Sequence, residues 1–431
     1  MRNEEIIETR QKYLYYNKKA MYKEPIQLVK AKGTKVWDNE GNEYLDAIGG
    51  IVCNSAGHNH PRIIKKIKEM LDSDAIQHTT YLYLSEHMAT LAKKISEQAP
   101  GSKLTRCYIT NSGSEANEMA IMSARVATGH QTVIALRHGY HGGTNVAQGL
   151  CGHSIWKQNS QPQVNIVHAV EPNCYRCPFG QKRDSCDLEC AKEIKNVIET
   201  ATCGKIAAMI VEPILGVGGF IDPPFEYHRQ IAKTVRSYGG KYVSDEVQTG
   251  VGRTGKHFFA IEDSDVEPDI ISMAKGIGNG AAVGAIVARD EIAKAMEGKA
   301  HFNTFGGDPY QAMQAAETID IILEEQLIQN SAKMGDYLKQ GLKDLQKDFT
   351  LIGDVRGRGL LVGMELVTNL ETKEYATQEA ANLIEYAKHE GLLIGKGGLY
   401  GNVIRLAPSM AITKKECDDL LIKLRKSFEK L

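Results

Sequence analysis

The sequence predicts an α/β protein: a large three-layer α/β/α unit with a mainly parallel sheet, plus a smaller α+β unit. Three observations predict it. Short apolar runs such as 207–211 and 270–272 read as strands. Helical stretches separate them through the middle of the chain, as in a sheet buried between helices. From about Tyr310 the pattern changes to long helices around two strand-like segments.

The elements follow in order. An extended hairpin opens at 36–38, turns at Asn39-Glu40-Gly41 and returns through Tyr44-Leu45. Gly41 supplies the permissive backbone such a turn needs. A helix starts at Pro61, a residue allowed at the first helical position. Ile63, Ile64, Ile67, Met70 and Leu71 then share one face. Cys107-Tyr108-Ile109 is a strand, followed by Asn111-Ser112-Gly113-Ser114 and a helix over 115–127. Further strands are predicted at 132–135, 207–211, 241–243, 270–272 and 283–288. Helices are predicted at 310–330, 332–346, 378–390 and 414–428, around strand-like stretches at 360–366 and 403–406. The expected division is an N-terminal segment and hairpin (1–60) joined to the small domain, a large domain (61–325) and a small C-terminal α+β domain (326–431).

Charge and composition exclude some functions. The 431 residues carry 52 Lys+Arg against 53 Asp+Glu, a net charge of -1, so there is no basic surplus for nucleic acid. No apolar run reaches the roughly eighteen residues of a membrane span. The start, MRNEEIIETRQKY, is acidic and lacks the apolar core of a secretory signal. A soluble cytoplasmic protein is expected. Nine cysteines without a signal are expected to be reduced thiols. Four of them, Cys174-x2-Cys177-x8-Cys186-x3-Cys190, read either as a structural tetrathiolate or redox site, or as a surface loop of reduced thiols. The spacing matches no standard zinc module, and no metal is assigned. Four thiolates would leave no open position for catalysis.

The chemistry concentrates at a few positions. Lys275 follows an apolar strand and precedes a glycine-rich stretch. Alone, it fits either a lysine snorkelling at the edge of a core or an amine that forms a Schiff base with a carbonyl. Asp245 ends the strand Lys241-Tyr242-Val243-Ser244, where α/β sheets bind ligands. It fits a turn or helix cap too. A strand-end carboxylate and a strand-end amine are what pyridoxal phosphate requires, one for its ring nitrogen and one for its aldehyde. Gly113 and Ser114 lie between strand and helix, where backbone N–H groups and a hydroxyl bind phosphate, or where Ser simply caps. Tyr140, in His138-Gly139-Tyr140-His141-Gly142-Gly143, is placed to stack on an aromatic cofactor or belongs to a plain loop. Two other motifs fail. Gly278-Asn279-Gly280-Ala281-Ala282-Val283-Gly284 precedes a strand instead of opening a helix, and Gly391-Leu392-Leu393-Ile394-Gly395-Lys396 lacks a spacer residue and the Ser/Thr of a P-loop.

Together these residues resemble the class III aminotransferases, pyridoxal-phosphate enzymes of fold type I. The matching stretches are Trp37-Asp38-x-x-Gly41, Asn111 to Asn117, Val211-Glu212-Pro213, Asp245 to Gly250 with Gly252-Arg253, Lys275-Gly276, Asn303 to Gly307, and Arg405-Leu406-Ala407-Pro408. They cover the chain from about Lys35 to about Ile422. His301 to Gly307, Gly353 to Gly357 and Ala407 to Met410 are similar to the alanine–glyoxylate aminotransferase 2 branch, whose relatives include pyruvate-linked ω-aminotransferases and amino-alcohol phosphate phospho-lyases.

The resemblance implies the following roles. Lys275 is the Schiff-base lysine and proton shuttle, and Asp245 pairs with the pyridinium. Val247 packs on the ring face opposite Tyr140, and Gln248 reaches the phenolic oxygen. Gly113 and Ser114 hold the phosphate, helped by Thr304 from the neighbouring subunit, which implies a homodimer with shared active sites. Arg405 grips the substrate α-carboxylate; read without the family, it is a surface or ion-pair arginine. Many glutamate-linked members carry a second Glu five residues after the first, as a partner for that arginine. Here the position is Val217. The implied reaction moves an amino group from an amino acid or ω-amino acid to a keto acid, pyruvate or glyoxylate before 2-oxoglutarate. The alternative is a phospho-lyase acting on an amino-alcohol phosphate. Tyr15, Trp37 and Ile51 are candidates for the pocket wall.

Overall fold

The computed structural model describes residues 1–17, 20–158 and 165–431. Its strands begin with β1 (Leu28–Lys32), β2 (Lys35–Asp38) and β3 (Glu43–Asp46). Then come β4 (Leu104–Thr110), β5 (Val133–Leu136), β6 (Ile166–Ala169), β7 (Ala208–Val211), β8 (Lys241–Asp245), β9 (Ile270–Met273) and β10 (Gly284–Arg289). The last are β11 (Ile352–Arg358), β12 (Leu361–Leu366), β13 (Leu392–Leu393), β14 (Gly395–Gly397) and β15 (Val403–Leu406).

The central sheet has seven strands in the order β4-β10-β9-β8-β7-β5-β6. Strands β9, β8, β7, β5 and β6 run parallel, and β10 runs antiparallel between β9 and β4. All residues of β5, β7 and β9 are buried. Alternate residues point to opposite faces of a strand, and here they enter two different cores. Val133, Ala135, Ala208 and Ile210 join one cluster with Ala116, Met119 and Ala120 of the helix Gly113–Thr128. Ile134, Leu136, Met209 and Val211 join the other, with Ile231 and Val235 of the helix Phe225–Ser237. A sheet with a hydrophobic core on each face is the three-layer arrangement that the apolar runs predict.

The register decides where the chemistry falls. Val211 pairs with Ser244, and Asp245 pairs with Ser272. Glu212, Asp245 and Lys275 therefore sit at or just beyond the carboxyl ends of three neighbouring parallel strands, the edge at which open α/β sheets hold ligands. A second, antiparallel sheet, β11-β12-β15-β14, carries Arg405 on β15 between Gly363 and Gly395. A third sheet joins the hairpin β2–β3 to the far end of the chain, through parallel pairing of Leu45 with Leu392.

Some expectations need correction. The helix placed at 310–330 ends at Glu324, and the next runs Leu327–Asp348. The chain reverses at Gln326, which adopts φ 55 without the Gly or Pro that would mark a break. The helix Pro61–Asp72 buries Ile63 and Met70, but leaves Leu71 52% exposed. Strand β6 was not foreseen. Cys190 lies in the first turn of the helix Glu189–Ala201, outside the loop that holds the other three cysteines of its group. Among the described residues no helix is long and apolar enough to cross a membrane.

Candidate active site

Asp245, 2% exposed, is fixed from three sides. Its Oδ2 accepts from Asn117 Nδ2 and from His141 Nδ1, each at 2.8 Å. Its Oδ1 accepts from the backbone N–H of Val247 at 3.0 Å. Asn117 is held in turn by Ser272, whose hydroxyl donates to Asn117 Oδ1 at 2.5 Å, and donates its own amide to the His141 carbonyl at 2.7 Å. Burial would push His141 down, but the hydrogen bond and charge of Asp245 hold it above its ordinary value. The imidazole and the carboxylate are thus held together as a buried pair.

Lys275 is the first residue after Ala274 at the end of β9, with φ 47, an uncommon conformation for a side-chain-bearing residue. Burial lowers its ammonium pKa, and Arg405 adds to the effect, against Cys53, Asp245 and Glu212. A lysine so placed loses its proton more readily and becomes a nucleophile and base. Cys53, which shares the field of Lys275 and Arg253, follows a turn in which Gly49, Gly50, Ile51 and Val52 all have positive φ. For β-branched Ile51 and Val52 this is strain, held by the surrounding structure.

The helix Gly113–Thr128 starts beside this strand edge. Ser112 caps it, accepting from Glu115 N at 3.2 Å. That leaves Ser114, whose Oγ accepts from Gly143 N at 3.1 Å, and the first free N–H groups of the helix. A Cβ at Gly113 would lie 3.0 Å from both methyls of Val247, so glycine permits the close approach. Gln248 Oε1 and His141 Nε2 are buried with no hydrogen-bond partner among the described residues. A Cβ at Gly216 would meet the Gln248 amide at 2.5 Å. Tyr140 donates its N–H to Glu212 Oε1 at 2.9 Å, and its ring meets Trp156 edge-on at 5.1 Å. A carboxylate for a ring nitrogen, an amine for an aldehyde and a helix start for a phosphate together fit pyridoxal phosphate.

Arg405, 8% exposed, donates Nε to Lys396 O at 3.0 Å and Nη1 to Gly216 O at 3.4 Å, with the Phe220 ring 5.5 Å away. Carbonyls, not carboxylates, hold it. Burial lowers its pKa to about 10. Val217 contributes its carbonyl, which accepts from Gly398 N at 2.9 Å. The structure therefore brings Gly113, Ser114, Tyr140, Asp245, Val247, Gln248, Lys275 and Arg405 to one strand edge. Thr304 is exposed on an adjoining loop, next to Asn303, which accepts from Asn111 Nδ2 at 2.9 Å. Of the suggested wall residues, Tyr15 is 85% exposed and Trp37 lies in β2 with the Lys30 ammonium 4.8 Å from its ring. Ile51 lies two residues before Cys53 and is 56% exposed.

Sequence reasoning missed Asn117, His141 and Glu212. Each lies inside a quoted stretch, so the stretch itself was the available signal. Cys174, Cys177, Cys186 and Cys190 are free, half-buried thiols around one cavity. Among the described residues no three His, Cys, Asp or Glu side chains converge as the ligands of a metal.

Comparison with known proteins agrees with this geometry. Residues 15–428 match the model of the aminotransferase class-III family. The chain is 38% identical over 426 residues to alanine–glyoxylate aminotransferase 2 homolog 2 of Arabidopsis thaliana, covering 99% of this chain and 87% of that one. It is 36% identical over 431 residues to a leucine/methionine racemase of Thermococcus litoralis, covering 99% and 96%. Among solved structures, an aminotransferase of Bacillus anthracis superimposes with a TM-score of 0.93 at 31% identity over the whole of both chains. A pyridoxal-phosphate-bound amine transaminase from an uncultivated Pseudomonas species gives 0.91 at 26% over 97% and 98%. An Arthrobacter phospholyase in complex with phosphoethanolamine gives 0.89 at 25% over 99% and 100%. This chain belongs to the class III aminotransferases, enzymes of pyridoxal phosphate with the α/β fold of type I.

Proposed function

We propose that the protein transfers an amino group from an amino acid or ω-amino acid to a keto acid, pyruvate or glyoxylate before 2-oxoglutarate, in a ping-pong cycle. The observation that carries the reading is a buried lysine at the same strand edge as a buried, hydrogen-bonded aspartate, within the field of an arginine that has no carboxylate partner among the described residues. Pyridoxal phosphate supplies a carbonyl that condenses with amines and a protonated ring that draws off the electron pair left when a Cα–H bond breaks. With the cofactor bound, Asp245 would hold the ring nitrogen protonated, the Gln248 amide N–H would donate to the phenolic oxygen, and Val247 and Tyr140 would pack against the ring. Gly113 and Ser114 take the phosphate. Lys275 Nζ removes the Cα proton of the donor and returns a proton when the keto acid is aminated. Arg405 Nη groups bind the α-carboxylate and orient Cα toward Lys275.

The same reading makes the enzyme a homodimer in which Thr304 completes the partner's cradle. An exposed aromatic patch beside Thr304 supports it: Phe302 rests on Tyr81 at 5.1 Å and Phe305 on His78 at 4.8 Å, with Leu82, Tyr83 and Leu84 open to solvent. The sheet pairings also support a large domain over 61–325 and a small one over 326–431 that takes in residues 1–60. The absence of a membrane-spanning helix among the described residues supports a cytoplasmic enzyme.

Arg405 provides the direct test. In Arg405→Gln, KM for pyruvate rises on the order of 10²-fold, while kcat with a donor lacking a carboxylate changes little. Steady-state kinetics with pyruvate and a donor panel of β-alanine, 4-aminobutyrate, ornithine and a simple arylalkylamine check this. An unchanged KM for pyruvate contradicts it. The Thermococcus relative favours a second reading, racemisation, in which Cα loses and regains its proton on opposite faces without a keto acid. Incubating L-leucine and L-methionine with holoenzyme in heavy water, with no acceptor, and measuring D-amino acid formation separates the two. Phosphate release from phosphoethanolamine under the same conditions identifies a phospho-lyase. A buried arginine that fits a carboxylate speaks against that last activity.

A further inference from the structure

Val217 leaves a physical problem. A guanidinium that is 8% exposed and, among the described residues, bonded only to carbonyls carries a charge that burial penalises. The anion that acts on Arg405 is Glu212. Glu212 follows the end of β7, is 4% exposed, and is bonded by backbone amides: Tyr140 N at 2.9 Å on Oε1 and Gly216 N at 2.8 Å on Oε2. Gly216 then presents its own carbonyl to Arg405 Nη1. One residue thus separates the carboxylate from the guanidinium, near enough to feel its charge but without an ion pair. The same carboxylate fixes the backbone of Tyr140, so it links the ring-stacking loop to the arginine loop.

We infer that Glu212 is the built-in counter-charge of Arg405, a positioning residue that weakens the grip on carboxylate substrates and lets the site accept amines that carry none. This rests on Arg405 as the carboxylate binder. A fixed anion at this distance lowers the positive potential at Arg405 whether or not substrate is present. A glutamate at 217, able to swing onto the arginine, would switch it; Glu212, pinned by two amides, only moderates it. The titratable groups whose charge acts with that of Glu212 are Tyr140, His141, Cys151, Asp245, Lys275 and Arg405. Burial and Asp245 push the Glu212 carboxyl up to about 7, while His141 and the two amides pull it down. It gains its proton as pH falls through that region, and the moderation is then lost.

The test is equilibrium binding of propionate to the holoenzyme, followed by the absorbance of the bound cofactor, so that turnover plays no part. At pH 8, Glu212→Gln should bind propionate on the order of tenfold more tightly than wild type, and Glu212→Asp should stay within about twofold. Wild-type binding should tighten several-fold between pH 8 and 6, and E212Q should flatten that slope. Damage to the two loops would weaken binding, so its sign separates charge from structure. Unchanged or weaker binding in E212Q overturns the inference. Should E212Q not fold, wild-type binding that is level or weaker on acidification overturns it. Arg405→Gln distinguishes the premise: if it binds propionate as wild type does, Arg405 is not the carboxylate binder and the inference falls with that reading. If it does not bind, and E212Q shows no gain, Glu212 alone is misassigned.

Discussion

Lys275→Ala should lower the rate of amino transfer by about 10⁴-fold or more, because one side chain holds the cofactor and moves the proton. The expected pattern is specific. The protein should fold as wild type, since Lys275 makes no ion pair among the described residues and its burial is a cost. Cofactor should still enter, held by the helix start at Gly113 and by Asp245, yet come away on gel filtration. A primary amine added to the medium should recover part of the rate, because the cavity left by three methylenes and an amine can admit a small base. Single-turnover absorbance with a donor amine, with and without added methylamine, checks this. Wild-type turnover in the variant would remove Lys275 from the chemistry.

Asp245→Asn should cost on the order of 10³-fold in kcat. The side chain keeps its shape but loses the charge. The ring nitrogen is then no longer held protonated, and the electron pair from Cα has no sink. The neighbours amplify the loss. Three donors surround the carboxylate, Asn117 Nδ2 and His141 Nδ1 on Oδ2 and Val247 N on Oδ1, so an amide in that place must turn its NH₂ against either the Val247 N–H or the other two. The charge and hydrogen bond that hold His141 above its ordinary value also go, and its pKa should fall. Imidazole resonances followed through a pH titration report this independently of rate. The expected result is a His141 that titrates lower in D245N than in wild type, together with retained cofactor. An unchanged kcat would contradict the pairing.

The parts of this account differ in how far they could be read in advance. Buried parallel strands show as apolar runs, so 241–243 and 270–272 were legible, and with them the positions at their ends, Asp245 and Lys275. Strand β6 was not, because Ile166-Val167-His168-Ala169 is short and its histidine breaks the run. The reversal at Gln326 carries no local mark and is imposed by the packing of the helices it joins. Asn117 and His141 contact Asp245 across 128 and 104 residues of chain. Their side chains look like helix surface and turn residues until the sheet brings them together. The left-handed turn at Gly49–Val52 is opposed by the preference of Ile51 and Val52, so only tertiary structure could reveal it.

The central claim is that the ε-amine of residue 275 is where vitamin B6 joins the chain. Reducing the holoenzyme with borohydride fixes the cofactor to whichever amine it occupies, and proteolysis with mass spectrometry then finds the modified peptide. The account predicts a single adduct, on the peptide containing Ser272-Met273-Ala274-Lys275. An adduct on any other lysine, or none, would contradict it.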